Sequence, residues 1–230
     1  MTIKDISFPN AQENISYDQM LLESAEDDFS EEALRFWEAE DFCIVLGRVS
    51  KLAEEVYTDN AKRDGIEIIR RISAGGTVLQ GPGCLNYSLI LSYKRDPMLR
   101  DIRKSYEFII DSICGSLEKM GIDVRHEPLS DIALDGKKFS GNAQVRRRRY
   151  LLHHGTILYD FPIEKVGRYL KMPKKEPGYR KGRGHSEFLA NLNIKPQDIK
   201  QAIISAFDVE GYHFPGEKIG TDTIFKDVNT

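Results

Sequence analysis

The sequence predicts an α+β fold: a single domain with a curved, largely antiparallel mixed sheet backed by helices. Three observations support this. Strand-like alternation recurs between Ala33 and Asp160, one long amphipathic segment from Asp101 to Met120 interrupts it, and the two kinds of element follow no strict βαβ repeat. At 230 residues and 40% apolar, the chain can bury one good core, and a second full domain would be a squeeze.

The first helix is expected from Ser16 to Ser24, with Tyr17, Met20 and Leu21 at helical spacing and Asn14 or Ser16 as cap. A strand follows at Ala33–Trp37. Asp41–Gly47 is apolar on both faces and reads as an interior strand. Gly65–Arg71 forms another strand, whose end delivers a Gly-rich loop. From Leu85 to Tyr93, Leu85, Tyr87, Leu89, Leu91 and Tyr93 share one face, while Asn86, Ser88 and Ser92 share the other. Asp101–Met120 is the clearest helix, with Ile102, Tyr106, Ile109, Ile113, Leu117 and Met120 as its stripe. Asp101 is its N-cap and Gly121 its terminator. Strands are predicted near Asp131–Leu134, Lys138–Gln144 and Leu151–Asp160, with a hairpin turn at Gly136 and a connection at Arg146–Arg149. A last helix starts at Pro196 and runs to 208, burying Ile199, Ala202, Ile203 and Phe207. Lys171–His185 is basic, Gly/Pro-containing and almost devoid of apolar residues, which predicts a mobile loop.

Net charge of −3 and a pI near 6.0 argue against a general polyanion binder. Arg146–Arg149 therefore reads as a solvated turn or a docking face for an acidic domain, not as a nucleic-acid site. Cys43, Cys84 and Cys114 sit in apolar surroundings without CxxC spacing, as reduced cytosolic thiols do. The N-terminal stretch has no basic region leading into an apolar run, and no segment approaches the ~20 apolar residues of a membrane span. A soluble cytoplasmic protein is the expectation.

Two segments carry chemistry. In Arg70–Ser88, glycines at Gly75 and Gly76 let backbone N–H groups approach a ligand, and Arg70 and Arg71 make the loop anion-binding. A plain glycine turn with surface arginines is the bland alternative. In Gly136–Leu158, an isolated lysine follows the tight turn and a histidine pair enters an apolar strand. His153 and His154 must face opposite ways, so at most one lines a pocket. No further His or Cys has zinc-ligand spacing.

These segments resemble the lipoate–protein ligase family, within the biotin/lipoate ligase and octanoyltransferase superfamily, from roughly Asn14 to Leu192. RRISAGGTV matches the family's RRxSGGGTV, with Ala74 in place of one glycine and Leu79-Gln80 in place of its aromatic-His pair. Lys138-Phe139-Ser140-Gly141-Asn142-Ala143 matches K-x-S/A-G-x-A, and His153–Leu158 matches HHGT. The resemblance implies a biotin/lipoate ligase-type catalytic domain that uses ATP, Mg²⁺ and lipoate. It implies Lys138 as the catalytic cation. It further implies contacts to substrate or adenylate from Arg70, Ser73, Gly75, Gly76, Thr77, Asn86, Ser140, Gly141, Ala143, His154, Gly155 and Thr156. Asp131, following Ser130, falls at the second residue of the family's N-D-I/L motif, as an orienter of ligand or Mg²⁺ or simply a strand-entry residue. Tyr17, Trp37 and Gln80 are candidate pocket walls, with core packing an equal account of the two aromatics.

The activity implied is ATP-dependent activation of lipoate or octanoate, then transfer to a lysine of an acceptor lipoyl domain. The alternatives are an octanoyl or lipoyl transferase working without ATP, a biotin ligase, or a binding protein on the same fold. A thioester enzyme needs a thiolate in the pocket, and Glu127–Ala133 (EPLSDIA) holds no cysteine. The biotin ligase GRGRxGR-type loop is missing, since GRGH at Gly182–His185 lies elsewhere. The core signature leaves one helix and a short tail, Gly211–Thr230, which predicts no accessory domain within the chain and a possible separately encoded partner.

Overall fold

The computed structural model describes residues 1–28, 31–128 and 130–207. Among them are ten strands: β1 (Thr2–Asp5), β2 (Ala33–Trp37), β3 (Cys43–Leu46), β4 (Glu67–Arg70), β5 (Val78–Gln80), β6 (Cys84–Ser92), β7 (Val124–Glu127), β8 (Asp131–Leu134), β9 (Lys137–Arg146) and β10 (Tyr150–Leu158). The α-helices are α1 (Ala11–Asp28), α2 (Leu52–Glu55), α3 (Thr58–Arg63), α4 (Ile102–Lys119), α5 (Val166–Tyr169), α6 (His185–Phe188) and α7 (Pro196–Ala206). The expected tail from Gly211 and the last residue of the expected final helix lie outside the described residues.

Seven strands form one sheet in the order β1-β2-β6-β10-β9-β8-β7, antiparallel except for β1 on β2. Three more, β4-β3-β5, form a small mixed sheet. The α+β architecture matches the expectation. On β6, Leu85, Tyr87, Leu89 and Leu91 face a core completed by Ile109, Ile113 and Leu117 of α4 and Ile199 and Ile203 of α7. Asp101 caps α4 by accepting from the Lys104 N–H, and Gly121 adopts φ 82° just beyond the helix, the left-handed conformation that favours glycine. Asp135 and Gly136, both at positive φ, make the turn between β8 and β9.

The second face of the large sheet is covered by α1 at one end, where Leu22 and Ala25 meet Ile90, Val145 and Leu152. Helix α1 is longer than expected and turned differently. Asn10 accepts from the Glu13 N–H to start it, Met20 is half exposed, and the inward residues include Asn14 and Asp18. These polar groups are inside because Arg35 of β2 is fully buried and must be paired. Its guanidinium donates to Asp18 Oδ1 at 2.7 Å, to the Asn14 side chain at 2.6 Å and to the Ile6 carbonyl. Three short strands, β1, β5 and β7, were not expected.

Candidate active site

Between the two sheets lies a cavity of about 820 Å³. Its floor is the second face of the large sheet, read in rows across paired strands. One row runs Trp37, Asn86, Thr156, Gly141, Asp131, and the next runs Arg35, Ser88, His154, Ala143. This is why the polar face of β6 exists: Asn86 and Ser88 look into the cavity, while the neighbouring leucines fill the core.

Lys138 reaches that floor through a β-bulge. Strict alternation would place it on the same face as Ser140 and Asn142, but the register slips between Ile132 and Ala133 of β8. Its Nζ lies 2.6 Å from where a Cβ on Gly141 would sit, so position 141 must be glycine for the ammonium to stand there. Asp131 faces it at 2.8 Å and also accepts from the Tyr179 hydroxyl at 2.8 Å. Burial first, and the Asp131 charge second, push the Tyr179 phenol up, so it stays a donor.

The Gly-rich loop is held by Arg71, not Arg70. Arg71 is buried; its Nε donates to Ser73 Oγ at 2.8 Å, and its Nη atoms donate to the carbonyls of Val45, Ala74 and Gly76. Burial brings its pKa down to about 10 against the raising effect of Glu55, so it remains charged. Arg70 is exposed and donates to the Gly47, Arg48 and Ser50 carbonyls. It supports the neighbouring turn and lines not the large cavity but a second recess, with Arg48, Arg71 and Ala74. Strand alternation carried the signal: Ile69 points in, so Arg71 points in and Arg70 out.

Gly75 adopts φ 106°, with Arg71 Nη2 only 2.9 Å from a Cβ there, so glycine is required. Ala74 is not at positive φ, so the departure from the family's glycine is sterically harmless. Gly76 lines the cavity beside open space. Thr77 is tied to Glu55 by its N–H at 3.1 Å and its hydroxyl at 2.5 Å.

His154 faces the cavity with Nε2 2.7 Å from Ser73 Oγ, and burial, then the Arg71 charge, lower it to about 3. His153 points to the opposite face, packed on Tyr87 and Tyr106 and fully buried. Gly155 is needed because Asn142 and the Tyr87 ring occupy the space above it. Ser140 lines the cavity, its hydroxyl accepting from Asn142. Trp37 is a wall residue. Tyr17 is not: it packs on Phe8 and over the Arg35 guanidinium, leaving Ile15 and Asp18 to line the cavity from α1. Burial pushes the Asp18 carboxyl up, opposed by Arg35 and by Ser88, whose hydroxyl donates to it at 2.6 Å.

The Lys171–His185 segment packs more than its composition predicts. It lines the cavity opposite the floor. Tyr179 and a buried Arg180 stack on Phe188, Arg183 donates to the Gly136 carbonyl, and Lys174 pairs with Glu54 at 2.9 Å. The signal for this docking lay in two residues, Tyr179 and Phe188, among the charges.

Among the described residues, no group of three or more His, Cys, Asp or Glu could hold a metal ion. None of the three cysteines lines the cavity. No helix among the described residues is long and apolar enough to cross a membrane.

A family model described as the lipoyl protein ligase A/B catalytic domain matches residues 10–208. Lipoate-protein ligase LplJ of Bacillus subtilis (strain 168) is 33% identical over 131 residues, 57% of this chain; the match spans only 38% of LplJ's own length. Octanoyltransferase LipM of Carboxydothermus hydrogenoformans is 28% identical over 232 residues, covering 91% of this chain and 85% of LipM. The bi-partite lipoate protein ligase of Thermoplasma acidophilum, solved in a study with its E2 lipoyl domain, gives a TM-score of 0.76 at 25% identity, covering 90% of this chain and 81% of that one. A lipoate-protein ligase A bound with ATP gives 0.78 at 25% identity, covering 90% and 83%. With the family model spanning most of the chain, this protein is a member of the lipoyl protein ligase A/B catalytic-domain family.

Proposed function

We propose that the chain is an ATP-dependent lipoate–protein ligase. Lipoate or octanoate attacks the α-phosphate of ATP, releasing pyrophosphate and forming the acyl-adenylate. An acceptor lysine on a lipoyl domain then attacks the acyl carbonyl and releases AMP. The observation that carries this reading is Lys138 standing over Gly141 in a cavity that no cysteine lines.

Negative charge concentrates between carboxylate and phosphate as they react, and a fixed ammonium there stabilises it more in the transition state than in the ground state. The Gly75-Gly76 backbone and the lysines and arginines of the 171–185 segment supply further anion contacts. That segment also shields a hydrolysable anhydride from water. A Mg²⁺ brought in on the nucleotide phosphates would supply charge neutralisation there and would be held by one or two protein carboxylates. Asp131, now paired with Lys138 and Tyr179, is the cavity carboxylate that would hold it.

A second reading, acyl transfer without ATP, is favoured by the long match to LipM. It needs a reactive thiolate. Burial first pushes Cys43 and Cys114 up to about 12 and Cys84 further in the same direction, so all three stay thiols. The bipartite relative supports a lipoyl domain as acceptor and a separately encoded second chain as partner. The buried, unpaired cysteines suit a reducing cytoplasm.

Pyrophosphate release with lipoate, octanoate and biotin tests the proposal. Release with lipoate or octanoate and none with biotin is expected; no release with any acid, together with no labelling of a lipoyl domain from preformed lipoyl-AMP, contradicts it.

A further inference from the structure

The large cavity, which Gln80 lines beside Leu79, Leu158 and Phe161, has a volume that suits small molecules. A protein acceptor must therefore seat outside it and reach in. The second recess, of about 590 Å³, adjoins the cavity across the Gly-rich loop: Arg71 lines both spaces, Ala74 the recess and Gly75 the cavity. Five arginines line the recess, Arg48, Arg70, Arg71, Arg146 and Arg147, and no Asp or Glu does. This stands out in a chain of net charge −3.

The loop is the wall between the two spaces. Inside the cavity Ser73 Oγ meets His154 Nε2 at 2.7 Å, while the Ser73 carbonyl accepts from the Arg48 N–H at 2.7 Å. Gly47 lies so close under the loop that a Cβ there would collide with the Gly75 carbonyl. Arg48 is thus fixed by its backbone beside the loop. Across the recess, Arg147 stands in the turn between β9 and β10, closed by its N–H to the Tyr150 carbonyl at 2.9 Å.

The arginines divide by what they already hold. Arg71 ties the loop, and Arg146 donates to Ser105, Gln144 and the Leu99 carbonyl. Arg149, on the same turn as Arg147, faces Glu26 at 3.6 Å. Arg70 uses Nη1 alone for its carbonyl contacts. Arg48, Arg147 and Arg148 are exposed, with no side-chain partner among the described residues. Cations gathered on a concave surface focus a positive potential there, and their planar forks match carboxylates two bonds at a time.

We propose that this arginine recess is the docking face for the acceptor domain, and that the surface it takes is acidic. Carboxylates of the acceptor engage Arg48, Arg147 and Arg148, and the acceptor lysine passes the Gly-rich loop into the cavity. The inference rests on the ligase reading and names the surface that its protein substrate uses. A lysine ammonium approaching Lys138 and Arg71 is repelled by both, and acidic neighbours on the acceptor offset that repulsion. Charge-steered docking also speeds encounter without holding the labelled product for long.

Transfer from preformed lipoyl-AMP to an isolated lipoyl domain of net negative charge tests this, with the native protein beside an Arg48→Glu/Arg147→Glu variant. At sub-saturating domain, kcat/KM of the native protein should fall steeply between about 50 and 500 mM salt, as screening shortens the reach of the recess. The variant should be at least about ten-fold slower at low salt and nearly insensitive to salt. Its affinity for lipoyl-AMP should be unchanged. Arg48→Gln/Arg147→Gln, with a smaller loss, serves if the glutamate variant does not fold. Native kcat/KM and salt slope in a folded variant would overturn the docking face. Weakened lipoyl-AMP or ATP binding with domain transfer otherwise intact would assign the recess to phosphate and overturn it equally. Failure of the native protein to transfer from lipoyl-AMP at all would overturn the ligase reading beneath it.

Discussion

The Lys138 ammonium and the Asp131 carboxylate face each other at 2.8 Å, and the second oxygen of that carboxylate accepts from Tyr179. One buried acid thus joins the sheet's cation to the segment that covers the cavity. Asp131 is 7% exposed, so neither partner is dispensable to it.

Lys138→Ala should lower acyl-adenylate formation by about 10²–10³-fold, the usual cost of one preorganised charge contact. Circular dichroism should remain native while stability falls, because the part-exposed ammonium packs no core but its loss leaves buried Asp131 with the Tyr179 hydroxyl alone. Lys138→Arg should not restore activity, since a planar fork cannot occupy the point-charge position above Gly141. Pyrophosphate release near the native rate from a folded Lys138→Ala protein would remove the lysine from the mechanism.

Tyr179→Phe keeps the ring on Phe188 and deletes only the donor to Asp131. Without that donor Asp131 holds Lys138 more tightly, so kcat should fall about five- to ten-fold with KM for the acid little changed. A rise in KM alone would show the hydroxyl to be a substrate contact instead.

The two adjacent arginines should behave differently. Arg71→Lys loses most of the fork that ties Ser73, Val45, Ala74 and Gly76 together, and should cost about 2–4 kcal/mol of stability along with activity. Arg70→Lys, at an exposed position, should cost less than about 1 kcal/mol and leave acid binding intact. Denaturant unfolding of the pair, read beside acid affinity, checks the contrast.

His153 is fully buried, and burial, then the charges of His154 and His126, lower it to about 3. The unfolded chain binds a proton there at the ordinary histidine pKa near 6.5. The stability this neutral ring contributes is complete above that value and is lost as pH falls from about 6.5 toward 3, by up to about 1.4 kcal/mol per unit. His153→Gln should flatten the fall in stability between pH 6.5 and 4. An unchanged slope in that window would show that the ring is protonated in the fold.

Much of this was legible because period-2 and period-3.6 patterns survive where one face is buried. The bounds of β2 and β8, the middle of the α4 stripe at Ile109, Ile113 and Leu117, and the Asp135-Gly136 turn follow from pattern alone, whereas Ile102 and Met120, expected in that stripe, are exposed at the helix ends. Helix α1 misled because Arg35 draws Asn14 and Asp18 inward, and a polar face ordinarily reads as a wet one. The placement of Lys138 depends on a bulge that no alternation can announce. The docking of Tyr179 depends on a contact across 48 residues.

The central claim is that the acyl group travels as an adenylate and never on sulfur. The most direct measurement replaces Cys43, Cys84 and Cys114 together by Ala, then follows ATP-dependent acylation of a lipoyl domain by intact mass. These thiols are buried and line no part of the cavity, so packing loss should cost stability while acyl-lysine still forms with lipoate and ATP. Loss of acylation in a folded triple variant, with an acyl-cysteine adduct on the native chain formed without ATP, would contradict the account.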